Sequence, residues 1–234
     1  MPIANIYGTR SFGKVTAAAG TAYTFLVEPM NNAEAMLRFL QFTVLGTAHT
    51  LTVMRPLSSQ QVSGQSQRCS CYLTAAAAAA QAVININQDP GVYTAYFSGT
   101  PSVANNVIAA NDYVAVKLVD GTWQVGVVSS VATLAITLTA NLGTGGAASA
   151  APVWFFGITT DTNPYDGKAH PAYNLFANSA PLNIGAEDAP IASTFRVGEP
   201  LLLYVNNATA ASVLERGIAE YANIGGPYAF NGLS

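Results

Sequence analysis

Short stretches in which apolar and polar residues alternate with a period of two dominate this sequence. In residues 113–119 the even-numbered side chains are all apolar, so an extended chain points them to one side. Residues 123–128 and 134–139 repeat the alternation, and Asp120-Gly121 between the first two segments is typical of a two-residue hairpin turn. Because a period of two matches a pleated strand, the pattern indicates an all-β protein.

Further strands are predicted where β-branched and aromatic residues run between Gly, Pro, Asn and Asp. Thr74 followed by six alanines is the best helix candidate, since Thr caps a first turn and Ala has the highest helix propensity. Residues 213–221 fit a helix or a strand equally well, because Gly217 weakens the helical interpretation. The further strands cover residues 22–28, 37–45, 49–55, 83–87, 92–97, 153–158 and 200–205.

The predicted fold is all-β: a β-sandwich formed by both chain ends, an inserted small β-barrel, and at most one or two short helices. Residues 1–100 form the first part of the sandwich, and residues 101–158 form the barrel. Residues 159–234 supply an extended arm and then the second part of the sandwich. The arm, 159–190, is rich in Pro, Asn, Asp and Gly, which favours a long loop that contacts a neighbour.

The chain is unusually poor in charge. Charged residues make up 9% of it against about 25% in an average domain, while half of the residues are apolar. Such a chain covers its exterior with neutral side chains, and we expect much of that exterior to face another protein. The net charge is −3 and the basic residues are scattered, which excludes a nucleic-acid partner.

A membrane partner is not expected either. No apolar run approaches the roughly 20 residues that a membrane-spanning helix requires. The first ten residues lack a basic segment followed by an apolar one, so a secretion signal is not predicted.

The sequence predicts no catalytic, cofactor-binding or metal-binding residues, and therefore no enzyme. His49 and His170 are the two histidines, and neither lies in a nucleophile elbow, a zinc-protease helix or a phosphate-binding loop. Cys69 and Cys71 are too close together for an ordinary disulfide and too few for a metal site. We interpret them as buried or half-exposed thiols.

Three other groups of residues carry side chains that could support chemistry, but each has a structural interpretation. The carboxylates Glu187 and Asp188, or Asp161 and Asp166, are near each other in sequence, but a loop is not the cleft that glycoside hydrolysis needs. Residues 161–167 offer oxygen atoms at alternating positions, as in a calcium loop, but a turn held by Asx side chains explains them. The third group is aromatic and is expected to pack in the core: Trp123, Trp154, Phe155 and Phe156.

Residues 111–123, continued by 127–131 and 136–139, resemble barrel segments in virion proteins of tailed bacteriophages. In size and β content the chain is similar to the capsid cement, or decoration, proteins of that group. The resemblance implies a structural protein without cofactors that lies on the capsid surface of the virion and is assembled in the host cytoplasm. It implies two partners: the major capsid protein and further copies of the chain, as in a homotrimer.

The leading hypothesis is therefore a non-enzymatic capsid cement protein that binds the outer shell and stabilises contacts between major capsid subunits. The alternative is an adhesin of the phage tail or fibre that binds a host-surface glycan, which would need exposed aromatic residues beside polar groups. A third hypothesis, a small hydrolase, requires a cleft that brings His49 or His170 to a nucleophile.

Overall fold

The computed structural model contains strands, turns and irregular segments, and within the part of the chain that it describes there is no helix. The all-β prediction is therefore confirmed. The residues described are 7–12, 15–17, 23–27, 34–45, 49–54, 56–57, 71–87, 108–157, 172–175, 182–184, 194–195, 200–206 and 212–224.

The described residues contain sixteen strands, which we number in chain order. The first eight are β1 Tyr7–Phe12, β2 Val15–Ala17, β3 Tyr23–Val27, β4 Glu34–Leu45, β5 His49–Met54, β6 Cys71–Tyr72, β7 Val83–Asn85 and β8 Tyr113–Lys117. The others are β9 Trp123–Ala132, β10 Ala135–Leu138, β11 Pro152–Phe156, β12 Ala172–Leu175, β13 Leu182–Ile184, β14 Thr194–Phe195, β15 Leu201–Asn206 and β16 Ser212–Ile224.

The chain divides into two compact units. The first consists of Met1–Val53 and Pro171–Ser234, and the second of Met54–His170. We describe each unit by itself.

The described strands of the first unit form two sheets, and both combine strands from the two ends of the chain. One sheet has the order β1-β16-β4-β13, with β14 also paired to β4 and β2 to β16. The other has the order β12-β5-β15-β3. The two chain ends therefore form this unit together, as the sequence predicted for the sandwich.

Residues 213–221, which fit a helix or a strand, belong to β16. This strand is antiparallel to β4 on one side and to β1 and β2 on the other, so its backbone groups are paired on both sides. Two register shifts, between Leu214 and Arg216 and between Glu220 and Tyr221, interrupt its pairing with β4. The tertiary pairing decides the conformation, because each backbone group gains a partner that local propensity does not supply.

The second unit is a small β-barrel. Its sheet has the order β6-β11-β8-β9-β10-β7. The two end strands meet at a bridge between Leu73 and Ile86. On either side of this bridge the Thr74 amide donates to the Asn85 carbonyl at 2.9 Å, and the Asn87 amide donates to the Tyr72 carbonyl at 3.0 Å. These bonds join the two edges of the sheet, so the strands form a ring.

The interior of the barrel is an apolar core of buried side chains. Val114 and Val116 of β8 are 0% and 1% exposed, and Ile136 of β10 is 0% exposed, which confirms the inward faces predicted for these strands. Fully burying each such side chain stabilises the fold by about 1.5–3 kcal/mol. The core cluster is Leu57, Cys71, Leu73, Ala77, Ile84, Ile86, Ile108, Val114, Val116, Val128, Ile136, Leu138, Leu142, Ala147, Ala151, Val153 and Phe155.

The helix predicted for residues 74–80 is wrong. This segment is irregular, and its amides bond to other segments of the unit at 2.9–3.0 Å. A run of seven residues forms too few internal hydrogen bonds to offset the cost of helix nucleation. Its backbone amides therefore bond to carbonyl groups in neighbouring segments. The donors are Thr74, Ala77 and Ala80, and their respective acceptors are the carbonyl groups of Asn85, Ala147 and Leu142.

The hairpin between β8 and β9 has three loop residues, 119–121, and not the two that were predicted. The Gly121 amide donates to the Leu118 carbonyl at 3.0 Å, and the Leu118 amide donates to the Thr122 carbonyl at 2.8 Å. Of the three loop residues only Gly121 has a positive φ, of 84°. This is a type I turn followed by a left-handed glycine, the usual three-residue hairpin.

Each of the other predicted strands coincides with an observed strand to within a few residues, except 92–97, which lies outside the described residues. The division into 1–100, 101–158 and 159–234 stays a prediction. Within the second unit, however, β6 and β7 pair with strands of the predicted insert although both precede residue 101.

Gly146→Ala is expected to destabilise the second unit by about 1–3 kcal/mol, the usual cost of overpacking. Gly146 has a φ of +63°, and an added Cβ would lie 2.7 Å from both Ala78 C and Ala79 N. Urea unfolding followed by tryptophan fluorescence measures the loss, because both tryptophans, Trp123 and Trp154, lie in this unit.

The matched control is Gly126→Ala, since the nearest atoms to an added Cβ there are at ordinary contact distances of 3.8 and 3.9 Å. Equal urea midpoints for the two variants would show that the close approach at Gly146 is not a packing constraint.

Candidate functional site

Three connections meet at one end of the barrel. In an antiparallel meander, the β8–β9 hairpin and the β10–β11 connection lie at the same end, whereas the β9–β10 turn lies at the other end. The β6–β7 connection joins them, because Ala77 and Ala147 exchange backbone hydrogen bonds of 2.9 and 2.8 Å. The Val119 amide of the hairpin donates to the Gly146 carbonyl at 3.0 Å. We call the exposed part of 74–81 and 139–150 the alanine end.

Side-chain hydrogen bonds also tie the alanine end to the barrel wall. Gln124 on β9 uses both ends of its amide: Oε1 accepts from the Gly143 amide at 2.7 Å, and Nε2 donates to the Asn141 carbonyl at 3.0 Å. The Gln81 Oε1 atom accepts from the Ala78 amide at 3.0 Å. These connections are therefore held in place by bonds to their own backbone and to a strand.

Every exposed side chain of the alanine end is uncharged. Small side chains lose little or no rotamer entropy when another surface covers them, so such a surface is inexpensive to bury. The exposed residues are Thr74, Ala75, Ala76, Ala78, Ala79, Ala80, Gln81, Thr139, Ala140, Asn141, Gly143, Thr144, Gly145, Ala148, Ser149 and Ala150.

Two charged residues lie beside the alanine end, on the hairpin that contacts it. The Lys117 ammonium group lies 5.7 Å from the centre of the Trp123 ring, opposite it on the neighbouring strand. Asp120 is exposed at the hairpin tip, and its Oδ1 accepts hydrogen bonds from the Thr122 hydroxyl at 2.7 Å and the Thr122 amide at 2.9 Å. These bonds, the hydroxyl first, lower the pKa of the Asp120 carboxyl below 3.8.

Asp112 is a buried carboxylate that precedes β8. It is 0% exposed, and its Oδ2 accepts a hydrogen bond of 2.8 Å from the Ala109 amide. Its backbone carbonyl accepts from the Val128 amide at 2.8 Å, and the neighbouring Asn111 has a φ of 73°. This carboxylate holds the turn that leads into β8, which gives it a structural role.

The structure places the sequence candidates apart or leaves them outside the described residues. His49 is the first residue of β5 in the first unit, whereas His170, Asp161, Asp166, Glu187, Asp188 and Cys69 lie outside the described residues. Among the residues that are described, no three of His, Cys, Asp and Glu are grouped so that they could hold a metal ion.

The remaining candidates are packing residues, as the sequence indicated. Cys71 is 3% exposed and belongs to the barrel core. Phe155 and Phe156 are buried, at 1% and 0% exposure, and Trp123 and Trp154 are half-buried. The aromatic residues of β11 are therefore part of the packing, as predicted.

The alanine end was not predicted, although the sequence carried a signal for it. Residues 69–88 and 121–160 contain no Asp, Glu, Lys, Arg or His. The barrel brings these two stretches together, since β6 pairs with β11 and β7 with β10. Because the strands of these two stretches pair, two segments without charged residues form one uncharged surface.

In the described part of the chain, no helix has the length and apolar character needed to cross a membrane.

Comparison with protein-family models and with curated proteins gives no match. Among solved structures, the chain is weakly similar to VP17, a capsid protein of bacteriophage P23-77, at 11% identity and a TM-score of 0.18, over 93% of this chain and 97% of that one. The VP16–VP17 complex of the two major capsid proteins of that phage gives 10% identity and a TM-score of 0.18, over 93% and 99%.

The subviral particle of infectious bursal disease virus VP2 gives 14% identity and a TM-score of 0.15, over 96% of this chain and 44% of that one. These weak neighbours are viral capsid proteins. TM-scores this far below 0.5 do not establish a shared fold, so the roles of these proteins are not transferred to this chain.

Thr122→Val is expected to raise the pKa of Asp120 toward 3.8, because the hydroxyl that lowers it most is removed. A lowered pKa in the folded state stabilises the hairpin above pH 3.8, and this contribution is lost as the pH falls through the folded pKa. NMR titration of the Asp120 carboxyl carbon measures the pKa.

Thr122→Ser is the matched control, since it keeps a hydroxyl at the same position and should keep the low pKa. If the valine and serine variants titrate alike, the hydroxyl of Thr122 is not the cause.

Proposed function

We propose that this chain is a non-enzymatic structural protein of a virion, a capsid cement or decoration protein. In this role it binds the outer surface of the shell and stabilises contacts between major capsid subunits. Its partners are the major capsid protein and further copies of itself, and it lies on the capsid surface after assembly in the host cytoplasm.

The observation that carries the proposal is the uncharged exterior of the alanine end. Large neutral surfaces are uncommon on proteins that work alone in solution, because exposed charge keeps them apart and soluble. The Val119 side chain next to it is 63% exposed and apolar. A surface of this kind is suited to permanent contact with another protein.

A cement protein needs binding energy and no reactive group. A shell that is strained by packaged DNA is stabilised by any protein that binds the assembled state and not the dissociated subunits. Apolar and hydrogen-bonding contacts supply this energy at many copies per shell. The resemblance of residues 111–123 to barrel segments of phage virion proteins supports the same role.

Binding to shells is expected to depend only weakly on salt, because few charge pairs contribute to a neutral interface. Purified chain is mixed with expanded shells that lack it, and co-sedimentation measures the bound fraction from 50 mM to about 1 M NaCl. We expect the apparent affinity to change by less than about threefold over this range, since only exposed charge pairs are screened.

The control is Gly126→Ala, which leaves both the exterior and the fold in place. Shells that stay unbound at every salt concentration would overturn the cement role. Specific binding on a glycan array, together with unbound shells, would replace it with the adhesin role.

A further inference from the structure

The charge pattern around the alanine end indicates what kind of surface can cover it. Its exposed side chains are uncharged, and the described charges beside it are one cation, Lys117, and one anion, Asp120. Both belong to the β8–β9 hairpin, whose Val119 amide bonds to Gly146 of the alanine end. The surface thus has a neutral centre and, on one side, a pair of opposite charges.

This arrangement is complementary to itself. In a contact between identical surfaces, residue i of one copy meets residue j of the other, and j meets i. A cation and an anion on the same rim allow Lys117 of one copy to face Asp120 of a second copy, whereas two charges of one sign would repel. The neutral centres meet without desolvating any charge.

Charged occupants match this surface less well. Nucleic acid binds through many cationic contacts to phosphates, and the alanine end offers none. A strongly acidic or basic segment would lose the hydration of its charges against a neutral surface without gaining partners. A second copy supplies a neutral centre and an opposite rim charge at the same time.

We propose that the alanine end is the surface through which two copies of this chain bind each other. The inference rests on the proposed function, in which copies of the chain lie side by side on a shell, and it assigns the residues of that contact. Ala148 lies within the neutral centre, and Lys117 and Asp120 form its rim.

Ala148→Glu tests the centre. Ala148 is exposed in the single chain, so the substitution leaves the fold intact, but in the contact it buries an unpaired carboxylate. Sedimentation equilibrium of the purified full chain measures self-association, and we expect the dimer dissociation constant to rise at least about fiftyfold.

Ala132→Glu is the matched control, because Ala132 is exposed at the opposite end of the same barrel and carries the same change in charge. It should leave the dissociation constant unchanged. Tryptophan fluorescence confirms that both variants are folded.

Exchange of the rim charges tests the pairing. Asp120→Lys alone places cations against each other and should weaken association by about threefold, the scale of an exposed pair. Adding Lys117→Asp restores opposite charges on the rim, and the double variant should return to the original dissociation constant.

A chain that stays monomeric at all concentrations, an equal effect of the two glutamate variants, or a double variant as weak as the single one would overturn the inference. Because no shell is present in these measurements, they separate the two proposals. A monomeric chain that still binds shells removes the self-contact alone, and a dimer that binds no shell removes the cement role alone.

Discussion

The second unit depends on the closure of its sheet by residues 71–87. Strands β11, β8, β9 and β10 pair side by side and leave two edges, which β6 and β7 cover. Open edges bind other chains unselectively, and a ring of strands removes them. The bridge between Leu73 and Ile86 completes that ring, and both side chains are 1% exposed. The same segment carries residues 74–81 to the connection between β10 and β11, so closure also creates the alanine end.

The parts of the fold that could be predicted are those in which neighbours in sequence are neighbours in space. β8, β9 and β10 follow one another through short turns, and their alternation gives the pairing and, for β8 and β10, the inward faces. On β9 the alternation is misleading, because Val128 is buried whereas Trp123, Val125 and Val127 are half-buried. Closure could not be predicted, because β6 has only two residues, too few for a period to show, and the strand predicted at 83–87 carries no sign of which strand it pairs with. Residues 74–80 misled the prediction for a related reason: propensity is local, and their partners at 142 and 147 are remote.

The surface could be predicted less well than the fold, because no reactive residue type marks it. Histidines, cysteines and carboxylates are sparse here, and of those whose side chains the structure describes, Asp112 and Asp120 hold turns and Cys71 fills the core. The informative signal was the reverse, two long stretches without any ionisable residue except Tyr and Cys. Such stretches acquire meaning only after folding, since pairing decides whether neutral positions form one surface or several.

The interleaving of the first unit has a consequence for the newly made chain on the ribosome. β4 pairs with β16, and β5 with β12, so neither early strand can find its partner until residues beyond 170 have been made. At about 5–20 residues per second, translation of the intervening barrel takes on the order of 10 s. At the end of that interval the described strands of Met54–His170 have all been made, whereas the strands before them still lack their partners. This is the period when a chaperone is most useful.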